Sequence, residues 1–168
     1  MTLPSLTSFR CFACGQDHPN GLRLRFTETP LGVRSEFSIG PDHVGLGEVV
    51  HGGIVATVFD EAMAWTLYRH KYAPHLTATM EQRFRRPIMS GTPLVVEATI
   101  TDDRGSRVKV SAELTTPGDP DDPLASASGL YVRAPDSVLD DLSDEQRADL
   151  ARVFATFRDL DGRTEGHG

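Results

Sequence analysis

Apolar and polar residues alternate with a period of two along six stretches of this chain. Two lie near its start, GLRLRFTET and GVRSEFSIG, and four follow later: TATMEQRFRRP, PLVVEATITD, SRVKVSAELTT and PLASASGLYVRA. Period two marks a half-buried strand, and the β-branched content of these stretches supports that reading. The first two, with PLG at their junction, predict a hairpin. DDRG reads as the turn between the middle pair of later strands, and PGDPDDP as a longer acidic loop. Between the hairpin and the later strands the pattern changes. A loop rich in glycine, GPDHVGLGEVV, leads into a mostly apolar stretch from about Gly53 to Lys71, long enough for a buried helix. The predicted order is β-β-α-β-β-β-β. With no βαβ alternation, the fold class is α+β, a mostly antiparallel sheet of about six strands around one long helix.

After Pro135 a third pattern appears. In LSDEQRADLARVFATFRDL, Ser143 precedes Gln146 by three residues, the signature of a capping box. Leu150, Val153, Phe154 and Phe157 then fall at helical spacing and form one apolar stripe. The chain therefore divides into a main domain, residues 1–136, and a C-terminal amphipathic helix with a polar tail, residues 137–168. The stripe is expected to dock on its own domain. A partner is the alternative, because periodicity alone does not choose between them.

Composition narrows the function. A chain of 168 residues, 39% apolar and 24% charged, is long enough to bury a substantial core. A net charge of −7 argues against non-specific binding to nucleic acid or anionic membrane. An anionic ligand would need a local basic patch against that field. No apolar run approaches the roughly 20 residues of a membrane span. The N-terminus MTLPSLTSFR lacks the layout of a signal peptide, so a cytoplasmic location is expected.

Two cysteines occur, in CFACG (Cys11 and Cys14). Such a pair serves as small buried residues, half of a zinc site, or a redox couple. Packing is the expected role. A redox pair would sit beside a strand–helix unit, and none precedes it. Zinc would need two more ligands, of which only His18 stands nearby.

The stretch VVHGGIVATVFDEAMAW carries the clearest chemistry. Gly52 and Gly53 open the helix, where unpaired N–H groups at the positive end of the dipole suit a carbonyl oxygen gaining negative charge. Asp60 sits among apolar neighbours, where an unpaired carboxylate is costly and so marks a functional candidate. Its neighbour Glu61 is expected to face solvent or cap a neighbouring group. Gly53 and Asp60 share a helix face within roughly 20°, but are separated by a rise of roughly 10 Å. One carbonyl cannot touch both within one helix. A two-fold dimer with antiparallel helices would bring each Asp60 to the other chain's glycines.

HGGIVATVFDEAMAW together with TATMEQRFRRP resembles the hotdog-fold acyl-CoA thioesterases, in particular their phenylacetate-pathway and THEM-type branch. CFACGQDHPNGLRLRF resembles the opening of the same branch, so the likeness spans about Cys11 to Arg133. It implies a hotdog fold, with the sheet wrapped around the central helix, and hydrolysis of acyl-CoA. It places the working carboxylate on Asp60, an oxyanion loop on His51, Gly52 and Gly53, and a water-holding hydroxyl on Thr77. Asp60 would act as general base on water or attack directly. His51 is expected to orient the loop. From the spacing of Gly53 and Asp60 an obligate homo-oligomer, a dimer or a dimer of dimers, is expected, and no metal or other cofactor is expected.

Coenzyme A is polyanionic, and RFRRP supplies a basic patch. In a strand Arg83 and Arg85 share one face, leaving Phe84 with Met80 to cover the helix. The resemblance adds Ser106 to Arg83 and Arg85 as nucleotide contacts. The turn DRGSRVK offers Arg104, Arg107 and Lys109. The acyl group is expected to run past Met63 and Trp65. Rival readings have discriminators. A hotdog hydratase needs a histidine and a carboxylate poised at adjacent carbons, whereas here the nearby histidine precedes the glycines. A non-catalytic acyl-CoA sensor could dispense with Asp60 and Thr77. A zinc-dependent interaction module would rest on Cys11 and Cys14.

Overall fold

The computed structural model describes residues 1–165. Its strands are β1 (Thr27–Thr29), β2 (Gly32–Ser38), β3 (His75–Phe84), β4 (Pro93–Asp103), β5 (Arg107–Thr115) and β6 (Ala125–Arg133). The helices are α1 (Gly52–Lys71), α2 (Asp136–Asp140) and α3 (Asp144–Glu165). All strand pairings are antiparallel, in the order β1-β2-β4-β5-β6-β3. This is the α+β sheet around one helix that the alternation predicts. The first strand is much shorter than GLRLRFTET suggests. Leu22 and Leu24 donate their N–H groups to Phe12 and Ala13, and the Phe26 carbonyl accepts from Leu3, so this stretch binds the N-terminal segment instead of β2.

The helix earns its place at the centre through side chains that contact the sheet. Val55, Val58, Phe59, Ala62, Met63, Trp65 and Leu67 are buried. They meet Val96 and Ala98 of β4, Val108, Val110, Ala112 and Leu114 of β5, and Ala125, Ala127 and Tyr131 of β6 in one hydrophobic cluster. The same cluster includes Leu3 and Leu6 from the N-terminal segment and Leu150, Val153, Phe154 and Phe157 from α3. The stripe of α3 thus docks on its own chain. The capping box forms in both directions: Ser143 N–H reaches Gln146 Oε1 at 3.0 Å, and Gln146 N–H reaches Ser143 Oγ at 3.2 Å. Asp149 accepts from the N–H and hydroxyl of Ser8, tying α3 to the N-terminal segment. Arg69, buried on α1, pairs with Glu28 and with Asp161 of α3. Helix continues through much of the polar tail, to Glu165; residues 166–168 lie outside the described residues. No helix among the described residues is long and apolar enough to cross a membrane.

β3 is a sheet edge, paired only with β6. Leu76 through Thr79 are exposed, as are Glu81, Arg83 and Phe84. Its free side carries a row of backbone groups open to a further strand.

Candidate active site

Asp60 lies in the middle of α1, partly buried, where the helix passes β3 and β6. Its Oδ1 accepts two hydroxyls, from Thr77 at 2.6 Å and from Tyr131 at 3.0 Å. Neither bond goes to Oδ2. One oxygen is thus pinned while the other has no hydrogen bond among the described residues. Tyr131 is fully buried, and burial together with the negative charge of Asp60 raises its hydroxyl well above the usual phenol range. It therefore stays a donor at neutral pH.

Thr77 reaches Asp60 because β3 is irregular. Met80 pairs with Gly129 on the helix side of the sheet, and strict alternation from there would aim Ala78 inward and Thr77 outward. The register shifts between Thr77 and Thr79, placing Thr77 opposite Tyr131 and on the same face. A β-bulge re-aims the hydroxyl. Gly129 makes room for the tyrosine: a Cβ there would stand 2.7 Å from Tyr131 Cε2. Sequence reading missed Tyr131, whose place in an alternating strand carries no signal of a site.

At the start of α1, His51 is the N-cap and its Nδ1 accepts the Gly53 N–H at 2.9 Å. An imidazole accepting at Nδ1 is neutral and carries its proton on Nε2. Of the two glycine N–H groups expected to face an oxyanion, the one on Gly53 is therefore occupied. That of Gly52 has no partner among the described residues. Gly52 lines a mostly apolar cleft of about 530 Å³ with Leu46, Val50, Val55, Phe84 and Arg85. Phe84, expected to cover the helix, does so at its first residue: its ring stands 3.5 Å from where a Gly52 Cβ would be.

The expected substrate-binding residues do not converge within one chain. Arg85 lines the cleft at Gly52, and Arg86 lines it as well while pairing with Asp122 at 2.8 Å. Arg83 is exposed on β3 opposite Ser126 of β6, whereas Arg107 is opposite Val132. Six residues of β6 separate those positions, roughly 20 Å of strand. Ser106 stays with Arg107, its carbonyl accepting from Arg133 N–H. Met63 and Trp65 are 0% and 3% exposed, so both pack in the core. Met63 touches Gly129 under the sheet.

Glu61 does not face solvent. Its carboxylate turns toward the N-terminal segment, with Oε1 accepting from Trp65 Nε1 at 3.0 Å and Oε2 3.5 Å from Cys11 Sγ. Burial, with the charge of Cys11 beside it, pushes its carboxyl up to about 7. Hydrogen bonding from Cys14 draws the Cys11 thiol down, and the same contact with burial pushes Cys14 up. His18 is not part of this group; its ring packs edge-on against Phe12.

Residues 47–121 match the model of the thioesterase superfamily, a span that holds α1, β3, β4 and β5. Over that span the chain is similar to the thioesterase superfamily. Solved structures agree in fold. One is a thioesterase superfamily protein (18% identity, TM-score 0.65), covering 73% of this chain and 60% of its own length. Another is a Bacillus halodurans protein crystallised with CoA (24%, TM-score 0.60), covering 69% of this chain and 77% of that one. A third is the protein of the E. coli phenylacetic acid degradation operon (16%, TM-score 0.60), covering 67% and 84%. No curated protein matches the sequence. In the hotdog domain the superfamily match ends before β6, so Tyr131 lies beyond it.

Proposed function

We propose that this hotdog domain hydrolyses acyl-CoA thioesters, with Asp60 activating the attacking water. The observation that carries the reading is the asymmetric carboxylate: Oδ1 held by Thr77 and Tyr131, Oδ2 free to take a proton from water. The Thr77 hydroxyl, donating to Asp60, keeps lone pairs toward that water. As the water's oxygen adds to the thioester carbon, its proton moves to Asp60. The carbonyl oxygen becomes an oxyanion bound by the N–H of Gly52, which the α1 dipole and the His51 cap orient. Collapse of the adduct breaks the C–S bond and releases CoA as the thiolate.

Asp60 and Gly52 are separated by roughly 12 Å of helix rise, so the site draws on two chains. A two-fold dimer joined along the β3 edges supplies it. Antiparallel β3 strands also set the Arg83–Arg85 end of one chain beside the Thr77 and Arg107 end of the other. Residues that lie far apart in one chain then border one site, and their charge suits the phosphates of CoA.

Asp60→Asn tests the reading. An amide cannot accept the proton, and hydrolysis of an acyl-CoA is expected to fall by roughly 10²–10⁴-fold with the fold unchanged by circular dichroism. Wild-type turnover in this variant would remove Asp60 from the chemistry.

A further inference from the structure

The mechanism leaves unused the partly buried group beside it. Sγ of Cys11, Sγ of Cys14 and a carboxylate oxygen of Glu61 all lie within 4.8 Å of one another. We propose that these three residues bind a zinc ion, with a fourth coordination position open to the adjoining cavity. The proposal is independent of the hydrolytic reading.

Geometry comes first. With Zn–S bonds of about 2.3 Å and Zn–O bonds of about 2.0 Å, a tetrahedral S···O edge is about 3.5 Å and an S···S edge about 3.8 Å. The Cys11 Sγ to Glu61 Oε2 distance is 3.5 Å. With every pair already within 4.8 Å, closing the widest needs at most about 1.3 Å of side-chain movement. The backbone presents both sulfurs to one side. Gly15 N–H bonds the Cys11 carbonyl at 2.9 Å, closing the C-x-x-C turn, and Cys14 N–H points at Cys11 Sγ at 3.5 Å. An N–H aimed at sulfur stabilises the thiolate that a metal requires. Gly15 permits this closure: a Cβ there would lie 2.4 Å from the Cys11 carbonyl oxygen.

The third ligand is held and lacks a counter-charge. Trp65 Nε1 fixes one carboxylate oxygen, the outer support that ligating side chains commonly have. No lysine, arginine or histidine among the described residues forms an ion pair with Glu61. The cavity it borders measures about 250 Å³ and is otherwise lined largely by Leu6, Phe9, Tyr68, Leu142 and Leu150. Placing a carboxylate beside two thiols in such surroundings is costly unless a cation joins them. On the same cavity wall His75 is 7% exposed, and its Nε2 has no partner. Its Nδ1 lies 3.0 Å from the Ala73 carbonyl, which assigns the proton to Nδ1 and leaves Nε2 with an unused lone pair. Soft sulfur donors beside a carboxylate oxygen favour zinc over calcium or magnesium. The ion would bind the N-terminal segment to α1 one residue from Asp60.

The untagged full-length chain, reduced and stripped with a chelator, is titrated with zinc chloride. One equivalent is expected to bind tightly and to change the fluorescence of Trp65, the single tryptophan. Cobalt(II) in its place is expected to give the thiolate charge-transfer band and the visible bands of a tetrahedral site. Cys11→Ser, Cys14→Ser and the near-isosteric Glu61→Gln should each weaken zinc at least tenfold. Asp60→Asn should bind zinc like the wild type, which separates this site from the hydrolytic one. If the reduced wild-type chain binds no more zinc than a Cys11→Ser/Cys14→Ser double variant, the proposal is overturned, and a disulfide recovered from untreated protein would point to redox chemistry instead.

Discussion

At the scale of single residues, the site turns on a tyrosine that folds back over a glycine. Tyr131 is 0% exposed and donates to Asp60 Oδ1, and its ring occupies the space that a Gly129 side chain would take. Met63 and the Thr79 carbonyl close the other sides of that space. Gly129→Ala therefore forces either the ring or the strand to move, at a cost of about 1–3 kcal/mol for overpacking. Turnover of an acyl-CoA is expected to fall while its KM changes less, because the disturbed hydrogen bond acts on the base and not on CoA. Denaturation midpoint and steady-state kinetics measure the two effects together; a variant unchanged in both would mean that the ring is free to shift. The bulge at Ala78 belongs to the same scale. One extra residue decides whether Thr77 faces Asp60 or solvent.

At the scale of elements, α3 is part of the core. Val153 and Phe157 are fully buried, Phe154 meets the ring of Tyr68, and Arg69 lies over the Phe157 ring at 5.6 Å while pairing with Asp161. Removing the Phe157 ring deletes apolar contacts and leaves Arg69 with one less neighbour. Phe157→Ala is expected to cost about 3–5 kcal/mol. Urea unfolding reads this as a lower midpoint with the slope unchanged, provided the transition stays two-state. A loss below about 1 kcal/mol, within the range of surface substitutions, would mean that α3 is a detachable appendage. The β3 edge poses the opposite question, since ten residues of strand present a pairing edge that no strand among the described residues covers.

At the scale of the whole molecule, the proposed site needs a second chain, and complementation tests it. Asp60→Asn removes the base. Gly52→Val places a branched side chain at the oxyanion position, 3.5 Å from the Phe84 ring at its first carbon, so the backbone has room for it. In a mixed dimer one site holds both lesions and the other holds neither. Random exchange makes about half of the dimers mixed, so co-expression should restore about a quarter of wild-type activity. If mixed dimers form but activity stays at the level of the separate variants, both groups act within one chain.

Much of this was legible in the residues. Alternation marked the six strands along the chain, though it drew the first too long, because a half-buried strand must alternate; the capping box and apolar stripe of α3 followed from helix period in the same way. Asp60 and the glycines stood out because a carboxylate in apolar surroundings and paired glycines at a helix start are each costly without a purpose. Thr77 entered by resemblance, and only the bulge gives it a physical reason to face Asp60. Tertiary structure decided what depends on partners distant in sequence. It paired Tyr131 with Asp60 across 71 positions and Glu61 with Cys11 across 50. It moved Met63 into the core, put His51 on the Gly53 N–H, and parted Arg83 from Arg107 along the sheet. Periodicity records which face of an element is buried. What that face meets depends on register and packing, which local sequence does not encode.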